Sequence, residues 1–467
     1  MKTISNLSVR LLFLLFFPIL SWSQPEPDYT ILTNNGAHPS NLFFHVGGTP
    51  PRTVNIMDST GTLIYSEPFG LKGWSWKVNM NNKITYFDRQ SKGWFVMDSL
   101  ENIVDTVYCQ NEYIADNHDF LALENGNYVL FAYDEQEYAT DTISPDGSAD
   151  QTVIGLVIQE LDSEHNVIFE WKSWDHHFMS DYPETDHTSN GIDFLHCNAI
   201  DIDEDGHFLI SNRNISEITK IHRTTGEIIW RFGGSQSDFT LLNDYPFSQQ
   251  HSIKSLGNNR YLLFDNGNQS HIYTGGIRRS RGVEYELNLN DFTATKTWDY
   301  VHPDSLFTPS IGSIQRLDNG NTLINFGNNQ QINRGSVIIE VTENNEVVFE
   351  IEMANGHNIY CANKADWNFY SEPVVELNEL NVNNSNELSL YPNPSTSTFF
   401  IELSDKDERL EKIEMFNLKG EPVFSQSILK ESSGNVFLIN EQLGKGIYMV
   451  KATTKDHSYF SRICITE

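Results

Sequence analysis

Short apolar runs broken by turn residues dominate the chain after its first two dozen residues, and no long stretch has the 3.6-residue periodicity of a helix. The runs are rich in Tyr, Phe, Trp, Ile and Val, which favour strands. Polar turns containing Gly or Asn separate the runs at short intervals. This pattern predicts an all-β protein.

Two kinds of strand-turn-strand unit alternate along residues 24–372. The inner hairpins have clear turns at Gly126, Gly206, Asn259 and Gly320, and a less regular turn at Asn82. The outer hairpins have polar turns and number six: 55–65, 95–108, 159–171, 220–230, 284–298 and 339–351. A four-stranded unit that recurs roughly every 40–65 residues is typical of a β-propeller blade. We therefore expect a six-bladed β-propeller over 24–372, whose first blade mixes strands from both ends of the repeat.

The character of the chain changes after residue 372. Residues 373–386 are polar and rich in Asn, which is typical of a linker. Residues 387–467 return to short alternating strands separated by Pro and Gly. This last segment predicts a small C-terminal β-sandwich domain.

Residues 1–23 have the three parts of a secretory signal peptide. Two cationic residues precede the apolar run 11–20, and the short segment 21–23 follows it. The apolar run is too short to span a bilayer comfortably, and no cysteine follows it that could carry a lipid anchor. We expect cleavage near Ser23, and no transmembrane segment elsewhere in the chain.

The charge balance excludes some partners. The 467 residues carry a formal net charge of −32, whereas binding to phosphate backbones needs clustered Lys and Arg. Nucleic acids and anionic membrane surfaces are therefore not expected as partners. The four cysteines match no zinc-binding spacing. A disulfide such as Cys109–Cys361 stays open, because an exported protein meets an oxidising compartment.

Three inner hairpins carry a histidine at corresponding positions. His118 and His251 each lie eight residues before the turn of their hairpin. In a third hairpin Asn198 takes that place, and His196 lies two residues earlier on the same face of the strand. Arg213 lies on the strand that returns to the same end. If the repeats pack around one axis, these side chains converge at one mouth.

The chemistry of this set favours an oxyanion over a metal. Histidine is a proton carrier, a nucleophile or a metal ligand near neutral pH, and zinc sites with three histidines are known. An arginine at the same mouth would repel a metal ion. Arg, Asn and His donors together suit a tetrahedral anion such as sulfate or phosphate. We expect a shared polar pocket without a metal, and the alternative is three unrelated structural histidines.

Four segments at these positions carry a resemblance to a known family. HDF at 118–120, DFLHCNAIDID at 193–203, QQHSI at 249–253 and RLDNGNTLIN at 316–325 resemble the bacterial aryl-sulfate sulfotransferases. Those enzymes are six-bladed propellers that move a sulfuryl group from a phenolic sulfate ester to a phenol without a nucleotide donor. The resemblance covers 116–327 well and 29–115 weakly.

The resemblance implies a role for each residue of the pocket. His251 matches the nucleophile, which forms a transient sulfohistidine. His118 and His196 match the two accompanying histidines. Asn198 and Arg213 match the residues that hold the sulfuryl oxygens.

One family residue has no clean counterpart. A threonine of the following blade is expected to contact the sulfuryl group, and Ser310 is its candidate by register. Thr308 and Ser313 are the alternatives. Known members also carry an extra N-terminal β-domain, which is reduced or absent here, so we expect a monomer.

The implied protein is an exported aryl-sulfate sulfotransferase with ping-pong kinetics and no cofactor. Its partners would be a small-molecule aryl sulfate donor and a phenolic acceptor. One alternative is a non-catalytic propeller that binds a ligand or glycan at the same mouth. Another is a metal-dependent hydrolase, such as a lactonase or esterase, that uses the histidine cluster. The donor, the acceptor and the use of water as acceptor stay open.

The tail resembles a second family. YPNPS at 391–395, NLKG at 417–420 and GKGIYMVKA at 444–452 are similar to the C-terminal sorting domain of type IX secretion. This resemblance implies a secreted or cell-surface protein that crosses the periplasm and the outer membrane and whose tail binds the secretion machinery. A sandwich that binds a sugar or a surface is the alternative.

Two further segments are open to more than one interpretation. DIDEDG at 201–206 resembles the start of a calcium loop, but Asn212 stands where an EF-hand needs Glu, so we favour a turn. The polar insertion 174–187 contains WDHH and could either line the site or form a solvated loop.

Overall fold

The computed structural model of the protein describes most of the chain: residues 26–182, 185–189, 191–369, 388–396, 398–404, 408–417, 422–428, 436–440, 443–455 and 457–466. The predicted signal peptide 1–23 and linker 373–386 lie outside these residues. The chain divides into two compact units, Met1–Tyr370 and Ser371–Glu467. The domain boundaries at 372 and 387 stay predictions. No helix in the described ranges combines the length and apolar character needed to cross a bilayer.

Strands form nearly all the regular structure of the first unit. In chain order they are β1 Tyr29–Asn34, β2 Asn41–Gly48, β3 Thr53–Met57, β4 Leu63–Pro68, β5 Trp74–Val78, β6 Ile84–Asp88, β7 Gly93–Met97, β8 Ile103–Val107, β9 Ala115–Ala122, β10 Tyr128–Tyr138, β11 Gln151–Leu161, β12 Val167–Lys172, β13 Ile192–Asp193, β14 Cys197–Ile202, β15 Phe208–Asn212, β16 Glu217–Ile221, β17 Ile228–Gly233, β18 Thr240–Leu241, β19 His251–Gly257, β20 Arg260–Asp265, β21 Arg281–Asn288, β22 Thr293–Val301, β23 Ser313–Arg316, β24 Thr322–Phe326, β25 Val337–Val341, β26 Val347–Met353 and β27 His357–Ala365. The described 3-10 helices are Thr140–Thr142, Ser173–Asp175, Met179–Asp181, Ser270–Ile272 and Gln330–Ile332.

Six sheets of four or five strands are present in the described part of this unit. They comprise β27-β2-β3-β4, β5 to β8, β9 to β12 with β13, β14 to β17, β19 to β22 with β18, and β23 to β26 with β1. The strands β5, β9, β14, β19, β23 and β27 contact one another in that order, and β27 contacts β5 to close the cycle. This arrangement is a β-propeller, and the all-β prediction is confirmed.

Both ends of the unit take part in the closure. The last strand, β27, pairs antiparallel with β2, so that Asn41 lies opposite Ala365. The first strand, β1, pairs with β26, so that Tyr29 lies opposite Met353. Strands from the two ends of the repeat are therefore mixed in two sheets, which satisfies backbone groups that would otherwise lie at open edges.

Turn chemistry and apolar packing explain why the sequence adopts these sheets. Gly126 and Asn259 close inner hairpins with φ angles of +89° and +56°, a region in which a residue with a larger side chain is strained. An apolar cluster fills the space between each pair of neighbouring sheets. Trp171 and Trp230 are buried in two of these clusters, so they serve packing between sheets.

The second unit contains two antiparallel sheets around a core of its own. Its strands are β28 Leu388–Tyr391, β29 Thr398–Leu403, β30 Lys412–Phe416, β31 Pro422–Ser427, β32 Val436–Asn440, β33 Gly446–Thr453 and β34 Ser458–Ile465. The sheets have the orders β28-β29-β32 and β31-β30-β33-β34. Phe399, Ile413 and Val450 are among the buried residues of one apolar cluster drawn from both sheets. The predicted C-terminal β domain is therefore present.

All four cysteines are free thiols. Cys109 and Cys197 are buried, and Cys361 and Cys464 are partly buried. The pairing of Cys109 with Cys361, which the sequence left open, is not formed.

Candidate active site

The predicted pocket residues lie where innermost strands of neighbouring sheets begin. His118 lies on β9, His196 immediately precedes β14, and His251 is the first residue of β19. The ring centroids of His118 and His196 are 4.7 Å apart. Tyr360, on β27, lies 5.7 Å from the ring of His118 and 6.3 Å from that of His251. The structure therefore brings the three histidines together around a tyrosine that the sequence reasoning missed.

Asn198 joins two sides of this pocket. Its side-chain amide donates a hydrogen bond of 2.8 Å to the backbone carbonyl of Gln250, next to His251. Its own backbone carbonyl accepts a hydrogen bond of 2.9 Å from the hydroxyl of Tyr360. Since the amide nitrogen carries two hydrogens, one remains for a ligand.

Arg213 places a cation in the pocket, and the hydrogen-bond acceptors of its guanidinium are neutral. Its guanidinium donates to Asn214 Oδ1 at 2.9 Å, to Gln249 Oε1 at 3.2 Å and to the carbonyl of Pro309 at 3.1 Å. Burial lowers the pKa of Arg213, and the nearby Asp193 partly opposes this effect. Because neutral oxygens do not cancel its charge, the guanidinium is suited to attract an anion.

Ser310 lies between two of these contacts. Its neighbour Pro309 accepts from Arg213, and its neighbour Ile311 directs a backbone N–H to His251 Nε2 at 3.3 Å. The Ser310 hydroxyl oxygen accepts from Asn328 at 3.3 Å, which leaves its own hydrogen to donate.

The other two hydroxyl candidates are engaged inside the protein. Thr308 donates to Asn329 Oδ1 at 2.9 Å, and Ser313 donates to the carbonyl of Ala362 at 3.1 Å. Of the three, Ser310 is therefore the one whose hydroxyl hydrogen suits a ligand contact.

Two histidines have carboxylate partners that sequence reasoning missed. His118 Nδ1 lies 2.6 Å from Asp116 Oδ1, and His196 Nδ1 lies 2.5 Å from Asp193 Oδ2. Burial lowers the pKa of His118, but the carboxylate of Asp116 outweighs it and leaves the pKa raised. The aspartates lie two and three residues before their histidines, so this local spacing could have identified them.

His251 has the opposite electrostatic environment. It is 3% exposed, and its Nδ1 lies 2.7 Å from the amide oxygen of Asn266. Burial holds the pKa of His251 well below its usual range, and the positive charge of Arg213 lowers it further. His251 is therefore neutral at physiological pH, which is the state a nucleophilic imidazole requires.

Backbone strain surrounds the pocket. His196, Gln249 and Ile311 have φ angles of +49°, +55° and +58°. A β-branched residue such as Ile311 is rarely found in this region, and such a conformation costs about 1–3 kcal/mol. At Ile311 the strained backbone points its N–H at His251, so the strain accompanies a contact inside the pocket.

A cavity of about 290 Å³ extends from the pocket between the innermost strands. His118, Asn198 and Tyr360 line one part of it, and Lys77 and Lys254 line another. The two lysines form ion pairs with carboxylates, Lys77 with Asp119 at 2.5 Å and Lys254 with Asp201 at 3.8 Å. The cavity therefore combines polar and charged walls beside His118, whereas His196, His251 and Arg213 do not line it.

The two ambiguous segments take defined places. In the segment 201–206, Lys220 Nζ lies 2.6 Å from carboxylate oxygens of both Asp203 and Asp205, as expected for an ion-paired turn. In the insertion, His177 lies 3.2 Å from Glu217 with both side chains fully buried, so this part is packed rather than solvated. Among the residues that the structure describes, no group of three His, Cys, Asp or Glu side chains is placed to hold a metal ion.

Fold and site together define a β-propeller protein with a histidine-lined polar pocket at its innermost strands. Residues 33–361 match the family model of the arylsulfotransferases (ASST). This chain belongs to the arylsulfotransferase family. Residues 389–466 match the secretion system C-terminal sorting domain, which marks the protein for type IX secretion to the cell surface or beyond. Both resemblances seen in the sequence are thus confirmed.

Solved structures of other proteins are similar at low identity. A protein of unknown function from Bacteroides caccae is 13% identical, has a TM-score of 0.42, and matches over 70% of this chain and 98% of its own. A virginiamycin B lyase from Staphylococcus aureus is 10% identical, has a TM-score of 0.31, and matches over 69% and 87%. Among curated protein sequences, none matches this chain.

Proposed function

We propose that the protein is an aryl-sulfate sulfotransferase that carries a sulfuryl group on His251 between a phenolic sulfate ester and a phenol, without a nucleotide. One observation supports this above the others. Within one pocket of an arylsulfotransferase-family chain, burial lowers the pKa of His251, whereas the Asp116 carboxylate leaves that of His118 raised. A neutral nucleophile beside a proton donor is what this transfer requires.

In the first half-reaction, the Nε2 lone pair of His251 attacks sulfur in line and forms an N–S bond. The S–O bond to the aryl group breaks, and its electron pair leaves with the phenolic oxygen. A phenol has a pKa near ~10, so the departing oxygen benefits from a proton, which the imidazolium of His118 supplies. Arg213, Asn198 and Ser310 donate hydrogen bonds to the sulfuryl oxygens.

In the second half-reaction, an acceptor phenol takes the place of the released one. His118, now neutral, accepts the hydroxyl proton while the phenolic oxygen attacks sulfur. The N–S bond breaks, its electron pair returns to Nε2, and His118 is again an imidazolium. Protons and electrons balance over the two steps, and the enzyme alternates between free and sulfated forms.

The aromatic surroundings fit an aryl substrate. Tyr360 lies between His118 and His251, and the ring of Trp74 lies 4.9 Å from it. Arg89 covers the ring of Trp74 at 4.8 Å. We propose that the phenolic ring packs against this aromatic side while its sulfate faces Arg213.

Intact mass spectrometry tests the proposed function. The purified protein is exposed briefly to 4-nitrophenyl sulfate without an acceptor, and we expect the mass of one sulfuryl group to be gained, with the modified peptide containing His251. Addition of a phenol should discharge the adduct. Absence of both adduct and nitrophenol would favour a ligand-binding propeller. Nitrophenol release without an adduct, and sensitive to a chelator, would favour a metal-dependent hydrolase.

The pH dependence of transfer should report on the pair of Asp116 and His118. The Asp116→Asn substitution removes the carboxylate that raises the pKa of His118, whereas burial, which lowers it, remains. The acid form of His118 exists below its pKa, so the alkaline limit of activity should move to lower pH. We expect a shift of about one pH unit or more, measured as the rate of phenol release against pH.

The dependence of the rate on the leaving group distinguishes a proton-donor role of His118 from a structural role of the pair of Asp116 and His118. The loss in Asp116→Asn should be larger for phenyl sulfate than for 4-nitrophenyl sulfate, because the less acidic phenol depends more on the proton. The matched control is Asp291→Asn at an exposed turn, which should leave the profile unchanged. An unchanged alkaline limit in Asp116→Asn would contradict the proton-donor role.

A further inference from the structure

We propose that Asn266 is the positioning residue that fixes His251 in its Nδ1–H tautomer and thereby keeps the Nε2 lone pair directed at the sulfuryl group. The catalytic use of this lone pair rests on the proposed function. The tautomer itself follows from hydrogen-bond geometry and can be measured without any reaction.

The first step is the orientation of the Asn266 amide. Its Nδ2 lies 2.8 Å from the backbone carbonyl oxygen of Thr308 and 2.8 Å from that of Ile311. A carbonyl oxygen only accepts hydrogen bonds, so both amide hydrogens are committed to these two acceptors. A flipped amide would place its oxygen against two other oxygens. The amide oxygen of Asn266 must therefore face His251.

The second step is the position of the imidazole hydrogen. His251 Nδ1 lies 2.7 Å from that amide oxygen, which can only accept, so Nδ1 carries the hydrogen. His251 Nε2 lies 3.3 Å from the backbone N–H of Ile311, which can only donate, so Nε2 carries no hydrogen and its electron pair accepts this contact until sulfur displaces it. Contacts at opposite ends of the ring thus agree on one neutral tautomer.

The third step is the choice of an amide over a carboxylate. Asp116 and Asp193 occupy the corresponding position beside His118 and His196. Burial disfavours a positive charge on His251 most, Arg213, His196 and His118 add to this effect, and the hydrogen bond with the neutral amide of Asn266 opposes it without overcoming it. A carboxylate at position 266 would stabilise an imidazolium and remove the nucleophile.

The neighbouring carboxylate is directed elsewhere. Asp265 immediately precedes Asn266, but its side chain accepts a hydrogen bond of 2.9 Å from the buried guanidinium of Arg281. The backbone N–H groups of Ser248 and Gly267 also donate to Asp265 at 2.9 Å. The carboxylate of Asp265 therefore pairs with Arg281, and the group that contacts Nδ1 of His251 is the neutral amide of Asn266.

Nuclear magnetic resonance of the protein labelled with ¹⁵N-histidine tests the tautomer directly. The His251 signals are assigned by their absence in His251→Ala. Near neutral pH we expect a protonated Nδ1 and an unprotonated Nε2. An Nε2–H tautomer or an imidazolium at His251 would overturn the proposal. This measurement uses the wild-type protein, so it does not depend on whether a variant folds.

The Asn266→Asp substitution tests the consequence for transfer. We expect His251 to become an imidazolium near neutral pH. If its pKa lies about one unit or more above pH 7, about one tenth or less of the imidazole is neutral at pH 7, so sulfuryl uptake should fall by about tenfold or more. Uptake should recover as the pH rises through the new pKa. Wild-type uptake at pH 7 in an Asn266→Asp variant that keeps the wild-type unfolding temperature would overturn the proposal. Asn290→Asp, at an exposed turn of the same sheet, adds the same charge and should change nothing.

The two measurements separate the inference from the proposed function. Wild-type protein that shows the Nδ1–H tautomer but takes up no sulfuryl group would support the tautomer and contradict the sulfotransferase activity. Wild-type protein that takes up the sulfuryl group from an Nε2–H tautomer would support the activity and contradict the role of Asn266.

Discussion

His251→Ala is expected to lower sulfuryl uptake by about 10⁴-fold or more, because removal of a covalent nucleophile eliminates the route through the intermediate. The intact mass of the variant should not change after exposure to 4-nitrophenyl sulfate, and nitrophenol release should approach the uncatalysed rate. His222→Ala is the matched control, since its ring lies at an outer turn and accepts backbone hydrogen bonds from Thr224 and Thr225. An adduct of wild-type yield in His251→Ala would place the nucleophile elsewhere.

A second variant shows whether the pocket itself survives the change. His251→Gly leaves space for a free imidazole molecule between Asn266 and Ile311. Added imidazole should then restore nitrophenol release and appear as sulfated imidazole in solution. Rescue would show that only the nucleophile was lost. Failure of rescue together with an altered unfolding temperature would attribute the loss to the fold.

Arg213→Ala is expected to lower kcat/KM by about 10²–10³-fold, the range seen when one donor to a developing oxyanion is removed. The guanidinium is the cation of the pocket whose described hydrogen bonds go to neutral oxygens, so its charge is available to the sulfuryl oxygens. Arg213→Lys should recover part of the rate, because an ammonium keeps the charge but cannot reproduce the planar fork.

Steady-state kinetics, with inorganic sulfate as an inhibitor, test the expected loss of kcat/KM in Arg213→Ala. Sulfate should compete with the donor in the wild-type protein and much less in Arg213→Ala. Arg462→Ala, an exposed arginine of the second unit, removes the same charge and should leave both measurements unchanged. A decrease of less than about threefold in Arg213→Ala would show that another group holds the sulfuryl oxygens.

Much of the pocket could be predicted from strand periodicity. Counting residues from the inner turns placed His118, Asn198 and His251 at one level, since equal distances along similar hairpins give equal heights in the sheets. Arg213 was expected from the length of the returning strand. The pocket in the structure agrees with this counting.

The residues that were missed depend on information beyond one hairpin. Tyr360 reaches the pocket because β27 closes the cycle of sheets, and its distance along the sequence from the histidines hides this contact. Asn266 immediately follows β20, the strand that returns from His251, and lies two residues beyond Phe264, the partner of His251 in the sheet. The register of that hairpin could have indicated it. The positive φ angles of Gln249 and Ile311 have no sequence signature, because neither residue type favours that conformation.

The pairing of β27 with β2 is also a contact between distant parts of the chain. Contacts between segments this far apart in the chain form slowly, because a long loop must close before they gain any stabilisation. Chain segments up to residue 353 contain all three histidines, Asn198 and Arg213, but the hydroxyl that bonds to the Asn198 carbonyl arrives only with β27. The tyrosine thus makes the complete pocket depend on the pairing between the two ends of the repeat, because a chain without β27 in its sheet lacks this hydrogen bond.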